Sequence, residues 1–228
     1  MGGALSDLAW PEAERAAPGR VLALPLGATE QHGPHLPLST DTEIAAALVE
    51  GLAAARPAVV AAPPLAYGSS GEHAGFAGTL SIGGEALERV LVELVRSASA
   101  TFARVLFVCA HGGNRTALRR AELRLRAEGR DVHAWFPHWS DGEHAGRVET
   151  SVMLALAPER VRLERATAGA TRPVDELMPR LVTDGVRAVS PSGVLGDPAG
   201  ASAQEGRLRL REEVARLVDA VDVWATAA

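Results

Sequence analysis

Short apolar runs alternate along the chain with longer stretches in which apolar residues recur at helical spacing. The apolar runs predict strands at residues 21–26, 58–62, 104–109 and 132–136. The periodic stretches predict helices at residues 4–17, 44–55, 85–101, 115–128, 146–157 and 201–227. Residues 160–200 show neither pattern and are expected to be irregular. This alternation predicts an α/β layered fold with a mostly parallel central sheet flanked by helices.

Two polar segments look like helix starts. Thr40-Asp-Thr-Glu43 has the pattern of a capping box, which places Asp41 at a helix N-terminus, where its charge is stabilised. Asn114 follows a tight turn at His111-Gly-Gly-Asn114 and is predicted to cap the next helix.

Composition narrows the class of protein. No linker or charge block divides the chain, so we expect one domain over residues 1–228. The net charge of −5 argues against nucleic acid or an anionic membrane as a partner. No apolar run reaches the ~18 residues of a membrane span, and the N-terminus lacks a signal-peptide pattern. Cys109 is the only cysteine and cannot form an internal disulfide, so we expect a cytoplasmic protein.

Carboxylates and imidazoles gather where predicted strands end and helices begin. Glu30, His32 and Asp41 follow the first strand, and His111 follows the third. In parallel sheets such positions converge on one cleft. With Glu149 they form a predicted ligand set for two divalent metals, in which Asp41 bridges. Glu30 and His111 would complete one metal, while His32 and Glu149 would complete the other. Mixed nitrogen and oxygen ligands suit Zn²⁺, Fe²⁺ or Mn²⁺.

Three further residues are candidates for contact with a substrate. His144 lies five residues before Glu149 and could carry a proton to a leaving nitrogen, bind a metal or contact the substrate. Glu72 and His73 lie in a glycine-rich loop and are predicted to line the pocket. The chain has neither a Walker phosphate loop nor a Rossmann glycine fingerprint, and the zinc-protease His-Glu-x-x-His and Gly-x-Ser-x-Gly motifs are also missing.

These residues resemble the creatininase family of metal-dependent amidohydrolases. The signature segments are Gly27-Ala-Thr-Glu-Gln-His-Gly-Pro-His-Leu-Pro-Leu38, His111-Gly-Gly-Asn114 and His144-Ala-Gly-Arg-Val-Glu-Thr-Ser151. The resemblance implies a layered α/β fold, a dinuclear divalent metal site, hydrolysis of C–N amide bonds and homo-oligomers that are often hexamers.

Other segments are similar to the members of that family in mycofactocin systems. They are Ala66-Tyr-Gly-Ser-Ser-Gly-Glu-His73, Phe76-Ala-Gly-Thr-Leu-Ser-Ile-Gly83 and Val189-Ser-Pro-Ser-Gly-Val-Leu-Gly-Asp-Pro198. This similarity implies a peptidase whose substrate is a modified ribosomal precursor peptide, from which it releases the modified C-terminal Val-Tyr dipeptide. Two alternatives stay open: a creatinine or formamide amidohydrolase of the same family, and an inactive metal-stabilised scaffold that presents the peptide to a partner enzyme.

The chain also departs from creatininase itself. Creatininase has a carboxylate two residues after the histidine at position 111, where this chain has Gly113, so Glu149 is the candidate replacement. The tryptophans that close creatininase over its small substrate have no aligned counterpart, although Trp135 and Trp139 lie nearby. This departure favours a larger substrate than creatinine.

Overall fold

The structure is a computed structural model that describes residues 3–138 and 143–226. Its sheet contains four parallel strands in the order β2-β1-β3-β4. Their bounds are β1 Val21–Leu26, β2 Val59–Ala61, β3 Arg104–Cys109 and β4 Asp131–Trp135. In the central pair, Val21 lies opposite Arg104 and Leu26 lies opposite Cys109. The predicted α/β fold with a parallel sheet is confirmed.

Helices cover both faces of this sheet. Their bounds are α1 Trp10–Ala16, α2 Thr40–Ala55, α3 Gly84–Ala98, α4 Arg115–Ala127, α5 Arg147–Leu156, α6 Val174–Asp184, α7 Val186–Val189 and α8 Ala203–Thr226. The end of the last predicted helix, Ala227, lies outside the described residues. Within the described part of the chain, no helix has both the length and the apolar character that a membrane span requires.

The strand β3 shows why its sequence is apolar at nearly every position. Alternate side chains of a strand point to opposite faces of the sheet. Phe107 packs with Leu91 and Leu118 of α3 and α4 on one face. Leu106 packs with residues of α2, α5 and α8 on the other face, including Met153. Both faces of β3 are therefore covered by helices, as expected for a central parallel strand.

The prediction of an irregular segment over residues 160–200 is wrong in part, because α6 and α7 lie within it. Leu177 and Leu181 of α6 are buried, and they form a small separate cluster with Val186 and Leu195. Pro179 lies inside α6. Because proline is disfavoured in the interior of a helix, its presence argued against a helix in this segment.

The predicted capping box at Thr40 is wrong, whereas Asn114 lies at the N-cap of α4 as predicted. Ser39 is the N-cap of α2, without a side-chain cap bond, and the Thr40 hydroxyl donates to the carbonyl of Pro37. Asn114 has the N-cap position of α4, but its side chain makes no cap bond. Its carboxamide accepts from Ser69 N at 2.8 Å and donates to Gly27 O at 3.0 Å. Tertiary hydrogen bonds at Asn114 thus replace the local cap and join the loops that follow β1 and β3.

Candidate metal centre

The two central strands deliver polar residues to one end of the sheet. After β1 the chain continues to the strand β2 on one side, and after β3 it continues to β4 on the other. Glu30 follows β1 and His111 follows β3, so both lie at the carboxyl ends of neighbouring strands. Open α/β sheets bind their ligands at this kind of switch point. Both residues are buried, with exposed fractions of 0% and 4%.

Two helix starts bring further carboxylates to the same place. Asp41 is the second residue of α2, and Glu149 lies in the first turn of α5. Both residues are buried. Glu149 Oε2 accepts a hydrogen bond of 2.6 Å from the backbone N–H of Ala145, which fixes one carboxylate oxygen. The partial positive charge at a helix N-terminus stabilises a carboxylate in this position.

Asp41 lies between two histidines. Its Oδ1 is 3.0 Å from Nε2 of His32, and its Oδ2 is 3.2 Å from Nδ1 of His111. His111 Nδ1 is also 3.2 Å from Oε1 of Glu30. His32 Nε2 is 4.0 Å from Oε2 of Glu149. The structure thus brings all five residues of the predicted ligand set together, with Asp41 in the middle.

Several oxygens in this cluster have no hydrogen-bond partner. Among the described residues, both carboxylate oxygens of Glu30 and Oδ2 of Asp41 are buried and accept no hydrogen bond, although histidine nitrogens lie 3.2 Å from Oε1 of Glu30 and from Oδ2 of Asp41. A buried unpaired carboxylate oxygen is costly, and a bound cation would remove that cost. One ligand atom each of Glu30, Asp41 and His111 lies within 4.8 Å of the others, and the same holds for His32, His144 and Glu149. These donor sets fit divalent metal ions such as Zn²⁺, Mn²⁺ or Fe²⁺.

The charged groups of the cluster strongly shift one another's pKa values. Burial alone would lower the pKa of His32, but the charges of Asp41, Glu149 and Glu30 and the hydrogen bond to Asp41 together raise it to about 10. Glu30 and Asp41 likewise raise the pKa of His111 well above its usual value, against the effect of burial. Burial also favours the neutral carboxyl of Asp41, yet His32 and His111 hold its pKa well below the usual range.

Two other histidines of the site are shifted in the opposite direction. Burial, with the positive charges of neighbouring histidines, lowers the pKa of His144 well below its usual value and that of His73 to about 4. His144 Nδ1 lies 3.9 Å from Oε1 of Glu30, and His73 Nε2 lies 3.2 Å from the same oxygen. Both imidazoles are therefore neutral at physiological pH and lie beside the same carboxylate. The sequence predicted that His73 lines the pocket. In the structure His73 also contacts the proposed metal ligand Glu30.

The carboxylate of Glu72 occupies the space in which a side chain at position 113 would lie. A Cβ added to Gly113 would lie 2.2 Å from Oε1 of Glu72. The same oxygen is 3.5 Å from Nε2 of His111, and burial raises the pKa of the Glu72 carboxyl. The glycine that departs from the creatininase pattern therefore makes room for a carboxylate from another loop.

Gln31 is a residue of the site that the sequence reasoning missed. It is buried, and its side chain contacts both His73 and His144. Its position between Glu30 and His32 was the only signal in the sequence. That signal was misleading, because in an extended segment the side chain between two ligands is expected to point away from them.

A cavity of about 840 Å³ opens beside the cluster. Glu72, His111, His144 and Glu149 lie on its polar side. The other wall comes from α6 and its flanks, with Val174, Met178, Leu181 and Val182. Trp135 is buried in the core and does not line this cavity. Trp139, the other tryptophan considered from the sequence, lies outside the described residues.

Comparisons with known proteins identify relatives of this chain. A family model described as creatinine amidohydrolase, for the creatininase family, matches residues 6–221. The mycofactocin precursor peptide peptidase of Mycolicibacterium smegmatis is 51% identical, covering 90% of this chain and 85% of that protein. The corresponding Mycobacterium ulcerans protein is 50% identical, with coverages of 89% and 85%. The creatinine amidohydrolase of Pseudomonas putida is 30% identical over 95% of each chain.

Solved structures show the same fold. A tryptophan-to-alanine mutant of creatininase superimposes with a TM-score of 0.83 at 27% identity, covering 99% of each chain. A creatininase structure described with manganese has a TM-score of 0.78 at 25% identity, covering 97% of each chain. A mutant creatininase described as a zinc–zinc type has a TM-score of 0.77 at 27% identity, covering 95% of this chain and 96% of that chain.

Proposed function

The chain belongs to the creatininase family, and from this premise we propose that it is a metal-dependent peptidase that releases the modified C-terminal Val-Tyr dipeptide from a mycofactocin precursor peptide. The observation that carries the proposal is the buried cluster around Asp41. Its Oδ1 is hydrogen-bonded to His32, while carboxylate oxygens of Asp41 and Glu30 that accept no hydrogen bond lie 3.2 Å from the imidazole of His111. Relatives about 50% identical over most of this chain carry the name of that activity.

The distances in the cluster support two proposed metal sites. Glu30, Asp41 and His111 would hold one ion, and His32, Asp41 and Glu149 would hold a second. When bound, such a pair of ions lowers the pKa of a water molecule and polarises a carbonyl group. Zinc, iron and manganese all suit these donors, and creatininase structures described with zinc and with manganese support the choice of a divalent transition metal.

His144 is the proposed proton-transfer residue. It lines the cavity, its ring centroid is 4.3 Å from that of His32, and its low pKa keeps it neutral and able to accept a proton. In the hydrolysis, the attacking water loses a proton as its oxygen bonds to the amide carbon. The leaving nitrogen gains a proton as the C–N bond breaks. His144 would carry the proton from the first atom to the second.

The cavity supports a substrate larger than creatinine. Its volume of about 840 Å³ is near the upper end of the roughly 300–1,000 Å³ typical of ligand pockets. Met178 and Val182 of its apolar wall are 44% and 77% exposed, so they offer a surface for the apolar and aromatic groups of a modified Val-Tyr dipeptide. The polar side would then hold the scissile amide, with Glu72 and His73 next to the substrate.

We also propose that the protein is a homo-oligomer, as the family resemblance implies, and that it is cytoplasmic. Leu80 and Tyr67 are apolar or aromatic side chains with exposed fractions of 54% and 48%, which an interface would cover. The buried thiol of Cys109 is compatible with a reducing compartment. Light scattering of the purified chain tests the oligomer, and a monomer at micromolar concentration would contradict it.

Mass spectrometry tests the proposed reaction. The radical-modified precursor peptide is incubated with the protein as purified, after treatment with a chelator, and after metal is restored. We expect release of the modified Val-Tyr fragment in the first and third samples only. A fully metal-loaded protein that leaves authentic peptide intact would contradict the proposal. Creatinine and formamides are then the next substrates, and inertness toward every amide would favour the scaffold role.

A further inference from the structure

Gln31 lies at the centre of a hydrogen-bond network that reaches two histidines of the cavity. Its side-chain nitrogen is 2.8 Å from Nδ1 of His73 and 3.1 Å from the carbonyl oxygen of Gly193. Its side-chain oxygen is 2.9 Å from the backbone nitrogen of Gly33. Its main-chain carbonyl oxygen is 2.8 Å from Nε2 of His144.

Two backbone groups fix the orientation of the Gln31 amide. A carbonyl can only accept, so the atom that faces Gly193 O must be the NH₂ group. A backbone N–H can only donate, so the atom that faces Gly33 N must be the oxygen. The reversed amide would lose both hydrogen bonds. The assignment of nitrogen and oxygen therefore follows from the network.

With that orientation, the tautomer of each histidine follows. The second N–H of the Gln31 amide donates to Nδ1 of His73, so the proton of this neutral ring is on Nε2, which faces Oε1 of Glu30 at 3.2 Å. The main-chain carbonyl of Gln31 requires a donor, so His144 is also protonated at Nε2. The 2.9 Å approach between Nε2 of Gln31 and Nε2 of His144 is then a contact of two donors without a hydrogen bond.

From this network we infer that Gln31 is a positioning residue that sets the tautomers of His73 and His144 for catalysis. Its amide makes His73 turn a protonated Nε2, and not a lone pair, toward Oε1 of Glu30 at 3.2 Å, which stabilises the charge of a carboxylate proposed as a metal ligand. Its main-chain carbonyl leaves Nδ1 of His144 with a free lone pair on the side of Glu30. Nδ1 is thus the atom that takes the proton from water and returns it to the leaving amine. This inference rests on the proposed function.

The loop that contains Gly193 belongs to the same hydrogen-bond network. Gly193 has a φ of +81°, and a Cβ at this position would lie 1.8 Å from Oε1 of Gln31. The loop is joined to the site by two backbone hydrogen bonds between His144 and Leu195, of 2.9 and 2.8 Å. A glycine is therefore required where the loop contacts the Gln31 amide.

Nitrogen-15 NMR of labelled histidines tests the inference in the metal-free protein, independently of any activity. The two ring nitrogens of a neutral histidine have distinct chemical shifts, and the seven histidines are assigned by single substitutions. We expect His73 and His144 to be protonated at Nε2. In Gln31→Glu the side chain can no longer donate to His73, so we expect His73 to become protonated at Nδ1. His144 should keep its tautomer, because the main-chain carbonyl of residue 31 is unchanged.

Two further variants serve as controls for this experiment. Gln204→Glu adds the same charge on the exposed surface of α8 and should change neither histidine. Gln31→Met removes all the side-chain hydrogen bonds without a charge and should leave a mixture of His73 tautomers. A wild-type His73 protonated at Nδ1, or a His73 unaffected by Gln31→Glu, would overturn the inference. In the metal-loaded protein, Gln31→Glu should lower kcat by about 10- to 100-fold with little change in KM.

Discussion

Gly113 and Glu72 exclude each other's space: a Cβ on Gly113 would lie 2.2 Å from Oε1 of Glu72. The same Cβ would lie 2.5 Å from Nε2 of His111. This Cβ would also clash with the backbone carbonyl oxygen of Ser69, so Gly113→Ala must displace the Glu72 carboxylate, the His111 imidazole, the Ser69 carbonyl or several of these groups. We expect metal affinity to fall by about 10- to 100-fold, the range for changes next to metal ligands.

The neighbouring glycine provides a matched control for that substitution. A Cβ on Gly112 meets nothing within 4 Å, so Gly112→Ala should bind metal as the wild type does. Competitive titration with a metal-sensitive dye measures both variants. Equal affinities for the two would contradict the packing described around Glu72.

Substitutions of proposed ligands should abolish metal binding and turnover together. Glu30→Gln removes the charge of a buried carboxylate whose two oxygens accept no hydrogen bond, and His111→Ala removes the imidazole between Glu30 and Asp41. Glu85→Gln, on the exposed side of α3, is the control and should change neither property. Metal content by mass spectrometry, beside peptide release, decides the outcome. Full activity in either ligand variant would remove that residue from the site.

His144→Ala should separate chemistry from metal binding. His144 lines the cavity but lies outside the five-residue set around Asp41, so we expect metal content to stay near the wild-type value. Loss of general acid–base catalysis commonly costs about 10²- to 10⁴-fold in rate, and kcat should fall within that range. Unchanged turnover would exclude proton transfer by His144, and loss of metal would instead make His144 a ligand.

Metal binding should release protons. In the metal-free protein the pKa of His32 is about 10, and that of His111 is well above its usual value, so both imidazoles are protonated near neutral pH. A histidine binds a metal only through a deprotonated nitrogen, so each must lose a proton on binding. Affinity should therefore increase with pH, up to about pH 10 for His32.

Calorimetry counts those protons. The heat of metal binding is measured at one pH in buffers with different ionisation enthalpies, and its dependence on the buffer gives the number released. We expect at least one proton per metal. Heats that do not depend on the buffer would show that the histidines are already neutral before the metal binds. His133→Gln, outside the cluster, serves as the control and should release the same number.

The sequence predicted the fold and the site where the signal was local or strongly repeated. The strand β1 and residues 105–109 of β3 are continuous apolar runs, and Glu30 and His111 follow them within a few residues. The role of Asn114 could not be predicted, because its partners Ser69 and Gly27 lie 45 and 87 residues away along the chain. The helix α6 was missed for a related reason: its buried side chains pack against loop residues such as Leu195, and Pro179 obscures its pattern.

The proposed ligands come from four separate parts of the chain: the segment after β1, the start of α2, the turn after β3 and the start of α5. The unfolded chain cannot gather them, so metal binds mainly to the folded state and adds to its free energy of unfolding. A cell with little available metal would then hold more unfolded chain, which proteases degrade. Metal supply would in this way set the cellular abundance of the enzyme as well as its rate.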